Sequence, residues 1–270
     1  MNRVIWQELS DRFRCRVPRR STHAKRQVRW AADADTIVGT GATAMMTDEY
    51  DVTNMEFRTL PTGSLSDGDR AVMFGLFDSC YRQANRAYLE DTIERLGFAS
   101  IAIHDGTPVG FGVGGVRLMD LPCLPQAAVA LGGLTCVVPE FRRQGLGIEL
   151  GQRNIVASAN GPYERTLLCG RSAHPAGYRI FLRNESVVPR RGVPPTRLQQ
   201  EVGQVIADAY GVVAFDPLTF ACAGSGTPIG YPILDMDVEP EEWELFRLID
   251  RDRGDSLLGM VWIPDAPPGW

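Results

Sequence analysis

Arg142, Gly145 and Gly147 stand in the run Arg142-Arg143-Gln144-Gly145-Leu146-Gly147, where residue type and spacing point to a specific chemistry. A short apolar run, Leu134 to Val138, enters this turn, and a helical pattern leaves it. A strand that runs into a glycine turn opening a helix aims several main-chain N–H groups and the positive end of a helix dipole at one point. That is an anion site, and phosphate is its natural occupant. Glycine at 145 and 147 keeps side chains away from the approaching anion and permits positive φ. A dinucleotide fingerprint needs Gly-x-Gly-x-x-Gly and a P-loop needs Gly-Lys-Ser/Thr, and neither is present in this turn.

The elements that must position the turn follow from the flanking sequence. Met55 to Leu60 reads as a strand, Ser66 or Asp67 as a helix cap, and the stretch to about Leu96 as two helices with Val72, Leu76, Tyr81, Tyr88 and Leu89 on the apolar face. Asp105-Gly106 between two alternating apolar runs, Phe98 to His104 and Val109 to Leu118, predicts a β-hairpin. A second hairpin leads into the motif strand at about 129 to 138. Beyond the motif, Ile148 to Ala159 reads as a helix and Arg165 to Cys169 as a buried strand. Ala173 to Asn184 reads as a helix with Tyr178, Phe181 and Leu182 turned inward. Thr196 to Tyr210 reads as an amphipathic helix, Leu218 to Cys222 as a strand, and the remainder as an acidic tail with Trp243, Trp262 and Trp270.

Val137-x-Pro139, then Arg142, Gly145 and Gly147, resembles motif A of the GNAT superfamily of acyl-CoA-dependent N-acyltransferases. The element order over residues 55 to 195 resembles that fold as well. The resemblance implies an α/β GNAT fold: a mixed central sheet flanked by helices, split in a V between the motif strand and the next parallel strand (strands 4 and 5 of the fold), with a C-terminal extension. It also implies acetyl-CoA or another acyl-CoA as cosubstrate, held by Thr135, Cys136, Val137, Arg142, Arg143, Gln144, Gly145, Leu146 and Gly147. By the same resemblance Tyr178, on the helix after the fifth strand, takes the role of acid for the departing thiolate, with Phe181 as a competing alignment. Ser172 and His174 stand near the same opening, with His104 at a hairpin end.

The run Leu248-Ile-Asp250-Arg-Asp-Arg-Gly254-Asp255-Ser-Leu257 is similar to the endings of two GNAT branches, the aminoglycoside 2'-N-acetyltransferases and the nodulation-factor N-acyltransferases. Both act on amino-sugar amines. Carried over, Asp255 and Ser172 would contact the acceptor, a small-molecule amine of amino-sugar, aminoglycoside-like or other polyhydroxylated type, because a carboxylate suits an ammonium. The chain departs from those branches where they place a glutamate: Leu131 and Gly133 stand there instead. The general base, the acyl length and the oligomeric state, monomer or homodimer, stay open. A catalytically silent GNAT-like module that binds CoA or a protein partner is the alternative.

Composition bounds these readings. The 270 residues are 44% hydrophobic, enough for a sizeable core, and no apolar run reaches the length of a membrane span. Six cysteines are scattered, without a Cys-x-x-Cys pair and without histidine at ligand spacing. They read as small core residues in a reducing cytoplasm, with no metal site. The net charge of -5 conceals a basic segment, Arg3 to Arg29, against acids concentrated in 235 to 255. Residues 1 to 54 read as a flexible basic arm, 55 to 195 as the acyl-CoA-binding core and 196 to 270 as an extension contributing to the acceptor site. A nucleic-acid role for the arm lacks interleaved aromatics apart from Trp6, Phe13 and Trp30, and the rest of the chain is acidic.

Overall fold

The computed structural model describes residues 54 to 270 apart from Pro162 and Asp235. The basic segment expected at 1 to 54 therefore lies, but for its last residue, outside the described residues. The strands are β1 (Met55–Pro61), β2 (Tyr81–Arg82), β3 (Phe98–His104), β4 (Thr107–Leu121), β5 (Leu124–Val137), β6 (Thr166–Ser172), β7 (Ala221–Cys222), β8 (Tyr231–Pro232) and β9 (Ser256–Ile263). The helices are α1 (Asp67–Cys80), α2 (Arg86–Leu96), α3 (Leu146–Ser158), α4 (Pro175–Tyr178) and α5 (Arg197–Ala209). Seven strands form one mixed sheet in the order β1-β3-β4-β5-β6-β9-β7, and β2 pairs with β8 beside it.

Local chemistry accounts for most boundaries. Ser66 and Asp69 close a capping box at the start of α1, with Ser66 Oγ accepting from Asp69 N at 3.2 Å and Asp69 Oδ2 from Ser66 N at 3.0 Å. Asn85 caps α2, and Gly97 ends it at φ 80°. The Asp105-Gly106 turn has φ values of 47° and 75°, the double positive φ that a two-residue hairpin requires. Thr196 and Gln199 cap α5 reciprocally. The apolar face of the first two helices differs from the expected one: Met73, Leu76, Phe77 and Cys80, then Leu89, Ile93 and Leu96, point into the core. Val72 and Tyr81 only flank it.

Two expectations are corrected. Ala173 to Asn184 is not one helix but the single turn α4 followed by a 3-10 turn at Phe181–Arg183, and Leu182 is exposed. Gly177, the third residue of α4, packs on Ser172, where a Cβ would meet Ser172 Oγ at 2.6 Å. The acidic tail is also not peripheral. All eight residues of β9 are buried, and the strand pairs antiparallel with the whole of β6 from Thr166↔Ile263 to Ser172↔Leu257. Residues 256 to 263 thus belong to the same sheet as residues 55 to 172.

Candidate functional site

The feature that makes a site is a fork in this sheet. β5 and β6 run parallel and are laddered only from Ala128↔Thr166 to Gly132↔Gly170. Past Gly132, β5 stays with β4 as far as Val137, while β6 stays with β9 as far as Ser172. The separation begins at a bulge, where the β4–β5 register shifts between Gly112↔Thr135 and Gly114↔Gly132. Gly133 is required there, since a Cβ would meet Leu96 Cδ1 at 2.5 Å and Thr92 Cγ2 at 2.7 Å.

The ladder fixes which main-chain groups face the gap. Val138 N donates to Val109 O at 3.0 Å. Alternation along an antiparallel pair then turns Cys136 toward β4 and the N–H and C=O of Thr135 and Val137 into the fork. The Val137 carbonyl is already met by Arg142 Nε at 2.8 Å, and the Cys80 sulfur lies 3.5 Å from it.

At the open end, Pro139–Phe141 form a 3-10 turn, Arg143 has φ 64° and Gly145, the residue before α3, has φ 87°. The first amides accepted by Gly145 O are those of Ile148 and Glu149, at 2.9 and 3.0 Å. Among the described residues, the N–H groups of Gln144, Gly145, Leu146 and Gly147 have no hydrogen-bond partner in the protein. They converge at the N-terminus of a 13-residue helix, the arrangement that binds anions. The two glycines serve different ends. Gly145 is needed for its φ, whereas a Cβ at Gly147 would make only an ordinary 3.6 Å contact with Thr135 Cγ2. Gly147 leaves the approach to the amides clear.

The other expected residues are placed as follows. Arg142 clamps chain to chain: besides Val137 O, its Nη1 donates to Ile233 O, tying the turn to the segment around β8. Arg143 is exposed, and Gln144 Nε2 donates to Glu140 O at 3.1 Å. Cys136 and Leu146 are buried under the strand and the helix. Ser172 Oγ donates to His174 O at 2.6 Å within its own turn. Asp255 organises the C-terminal loop, accepting from Gly224 N at 2.7 Å and Asp250 N at 3.3 Å.

Tyr178 is buried, and its hydroxyl donates to Pro189 O at 2.7 Å. Burial also raises its pKa far above the ordinary phenol value. The ring packs on the side of the sheet where Gly170 and Gly259 make room for it and Phe181. In this conformation the structure therefore does not bring the Tyr178 proton to the fork.

His174 caps α4, with Nδ1 accepting from Ala176 N at 3.2 Å, and packs its ring 5.0 Å from Trp243. Burial, reinforced by the positive charges of Arg251 and Arg179, lowers its pKa to about 4. It is neutral at physiological pH and carries its proton on Nε2. Among the described residues no cluster of three or more His, Cys, Asp or Glu could hold a metal ion, and no helix is long and apolar enough to cross a membrane.

Sequence reasoning missed several residues at the fork. Cys80 ends α1 against Val137. The Cys136 thiol donates to its sulfur, and Ser79 and Arg142 add to this, so its pKa is lowered to about 6 despite burial. Cys136, the proton-bearing partner in a dry setting, is raised well above the usual value. Tyr210, just beyond α5, reaches the closed end of the fork, and the Arg171 guanidinium lies 5.9 Å from its ring centroid. The one sequence signal for Tyr210 was its position at the end of an amphipathic helix, which does not say what that helix touches.

No family model and no curated protein sequence matches the chain. Solved structures do match. An aminoglycoside acetyltransferase from an uncultured soil metagenomic sample, solved with sisomicin, is 14% identical over 38% of this chain and 69% of its own, with a TM-score of 0.28. A GNAT family acetyltransferase from Brucella melitensis in complex with acetyl-CoA is 16% identical over 42% and 74%, with a TM-score of 0.31. The ribosomal-protein-S18-alanine N-acetyltransferase from Escherichia coli is 12% identical over 80% and 99%, with a TM-score of 0.38.

Proposed function

We propose that the chain is an acyl-CoA-dependent N-acyltransferase of GNAT type, transferring an acetyl or longer acyl group to a primary amine of an amino-sugar, aminoglycoside-like or other polyhydroxylated small molecule. One observation carries the cosubstrate: a forked parallel pair whose open end leads into a turn where, among the described residues, four main-chain N–H groups have no protein acceptor. The diphosphate of CoA satisfies those amides, and the pantetheine arm lies along Thr135 and Val137 as a surrogate strand. Arg142 holds the strand end and the β8 segment together around it. The acceptor class rests on the resemblance of the 248 to 257 segment, with Asp255 shaping the loop that faces the amine.

In the reaction the amine nitrogen attacks the thioester carbonyl carbon, the C–N bond forms and the C–S bond breaks. The amine gives up a proton and the departing thiolate takes one. The Thr135 N–H, turned into the fork close to its closed end, donates to the developing oxyanion, the larger electrostatic term in such a step. Positions 131 and 133 supply no carboxylate, so the amine is deprotonated by another side chain or a water relay, or enters neutral.

Coenzyme A at about a hundred times its Kd stabilises the fold by ~2.7 kcal/mol, a rise of roughly 5–10 °C in Tm. An unchanged melting curve with CoA and with acetyl-, malonyl- and long-chain acyl-CoA rejects the assignment. A second reading, a silent CoA-binding module, is favoured by the commitment of the Tyr178 hydroxyl to Pro189. Acyl transfer to any amine of a panel, followed by mass spectrometry, eliminates it.

A further inference from the structure

Strand pairing alone does not close the fork; a side chain stands at its apex. Tyr210 Oη lies 2.8 Å from Gly132 O and 3.0 Å from Cys169 O, carbonyls at the point where the ladder between β5 and β6 ends. One phenolic proton is shared between two acceptors, and the side chain is buried. Its backbone is held as firmly: Tyr210 N donates to Ile206 O and Ala207 O at 3.1 Å, and Arg117 Nη2, reaching from β4, donates to Ala209 O at 3.3 Å. On the opposite side of the sheet Phe181 covers the same point, where a Cβ on Gly170 would meet its ring at 2.9 Å.

These contacts set a length. The stretch from Gly133 to Val138 spans roughly 17–20 Å at ~3.3 Å per residue, the order of an extended pantetheine arm. With the diphosphate fixed at the Gly145 turn, the sulfur and the acyl group arrive at the apex. We infer that Tyr210 is the floor of the acyl pocket and a specificity-determining residue that limits the cosubstrate to short acyl chains. This rests on the acyl-CoA reading of the fork. A long chain meets laddered backbone ahead, the buried Tyr210 phenol on one face and the partly buried Phe181 ring on the other, and must displace one of them to extend further.

The test needs no acceptor amine. Binding of CoA, acetyl-CoA, butyryl-CoA and octanoyl-CoA is measured by calorimetry on the full chain and on Tyr210→Ala, Tyr210→Leu and Tyr210→Phe. The full chain binds octanoyl-CoA at least tenfold more weakly than acetyl-CoA. Tyr210→Ala, or Tyr210→Leu should the alanine variant not fold, brings the two within threefold, while Tyr210→Phe keeps the original order because the ring remains. Equal binding of octanoyl- and acetyl-CoA by the full chain overturns the inference. So does an unchanged tenfold preference in a folded Ala or Leu variant that still binds CoA. Failure of the full chain to bind CoA itself overturns the acyl-CoA reading, and the CoA arm alone reports it.

Discussion

At the open end of the fork, four main-chain N–H groups from Gln144 to Gly147 stand without an acceptor among the described residues. At the closed end, the carbonyls of Gly132 on β5 and Cys169 on β6 share a phenolic proton from Tyr210, just beyond a distant helix. The two ends border one gap, the first in the turn that follows β5 and the second where β5 and β6 are last laddered, yet one lacks protein acceptors and the other is saturated. Gly145 is exposed, so water can reach this turn, and amides gathered at a helix N-terminus with the positive end of its dipole are where an anion is received. The Tyr210 end needs no ligand and serves as a fixed wall.

This contrast can be broken from either side. The largest expected effect is that of Gly145→Glu. A side chain at φ 87° strains the turn, and a carboxylate there repels the diphosphate. CoA affinity falls by about 100-fold or more, ~2.7 kcal/mol, in a calorimetric titration. A variant that keeps its affinity places the anion elsewhere and erases the distinction between the two ends.

Tyr210→Phe probes the opposite end. Two carbonyls lose their donor, so stability drops by about 1–3 kcal/mol in urea unfolding while CoA affinity changes less than threefold. A large loss of CoA affinity without loss of stability would mean that Tyr210 contacts the ligand arm directly.

His174 sharpens the comparison at the β6 border of the fork. Its folded pKa of about 4 lies below the ordinary 6.5, so between these values the unfolded chain binds more protons. Its contribution is complete above pH 6.5 and is lost as pH falls through that range toward 4. Arg251, Arg179 and Glu242 are the charges that act on it. His174→Asn keeps a capping side chain and removes the titration. The variant loses about 1–2 kcal/mol less than the parent between pH 6.5 and 4, after discounting for the half-buried ring. Equal acid sensitivity of the two proteins refutes the buried neutral state. The smallest effect is expected of Asp255→Asn, which weakens two loop hydrogen bonds and costs about 0.5–1 kcal/mol in the same assay.

How much was legible depended on whether the partners were near in sequence. Asp105-Gly106 specified its hairpin because two adjacent residues carry the positive φ that the turn needs. Ser66 with Asp69 and Thr196 with Gln199 announced helix starts for the same reason. The apolar run Ser256 to Ile263 was a readable sign of a buried strand. It was obscured by the acids before it, and nothing local stated that it would insert between β6 and β7. The helix expected at Ala173 to Asn184 is instead one helical turn and a 3-10 turn, a break that the apolar spacing of Tyr178, Phe181 and Leu182 does not announce.

By itself the sequence determined the turn. A strand, Gly145 and a helix within a dozen residues suffice to gather amides at a point, because φ preference and helix geometry act over one or two residues. Only the tertiary structure decided what surrounds it. The bulge at Gly133, the β9 strand that holds β6 away, the Arg142 clamp on Ile233 and the Tyr210 floor all join groups far apart in the chain. Their pairing is set by packing and by the demand that every buried carbonyl find a donor, conditions that no short stretch of sequence contains.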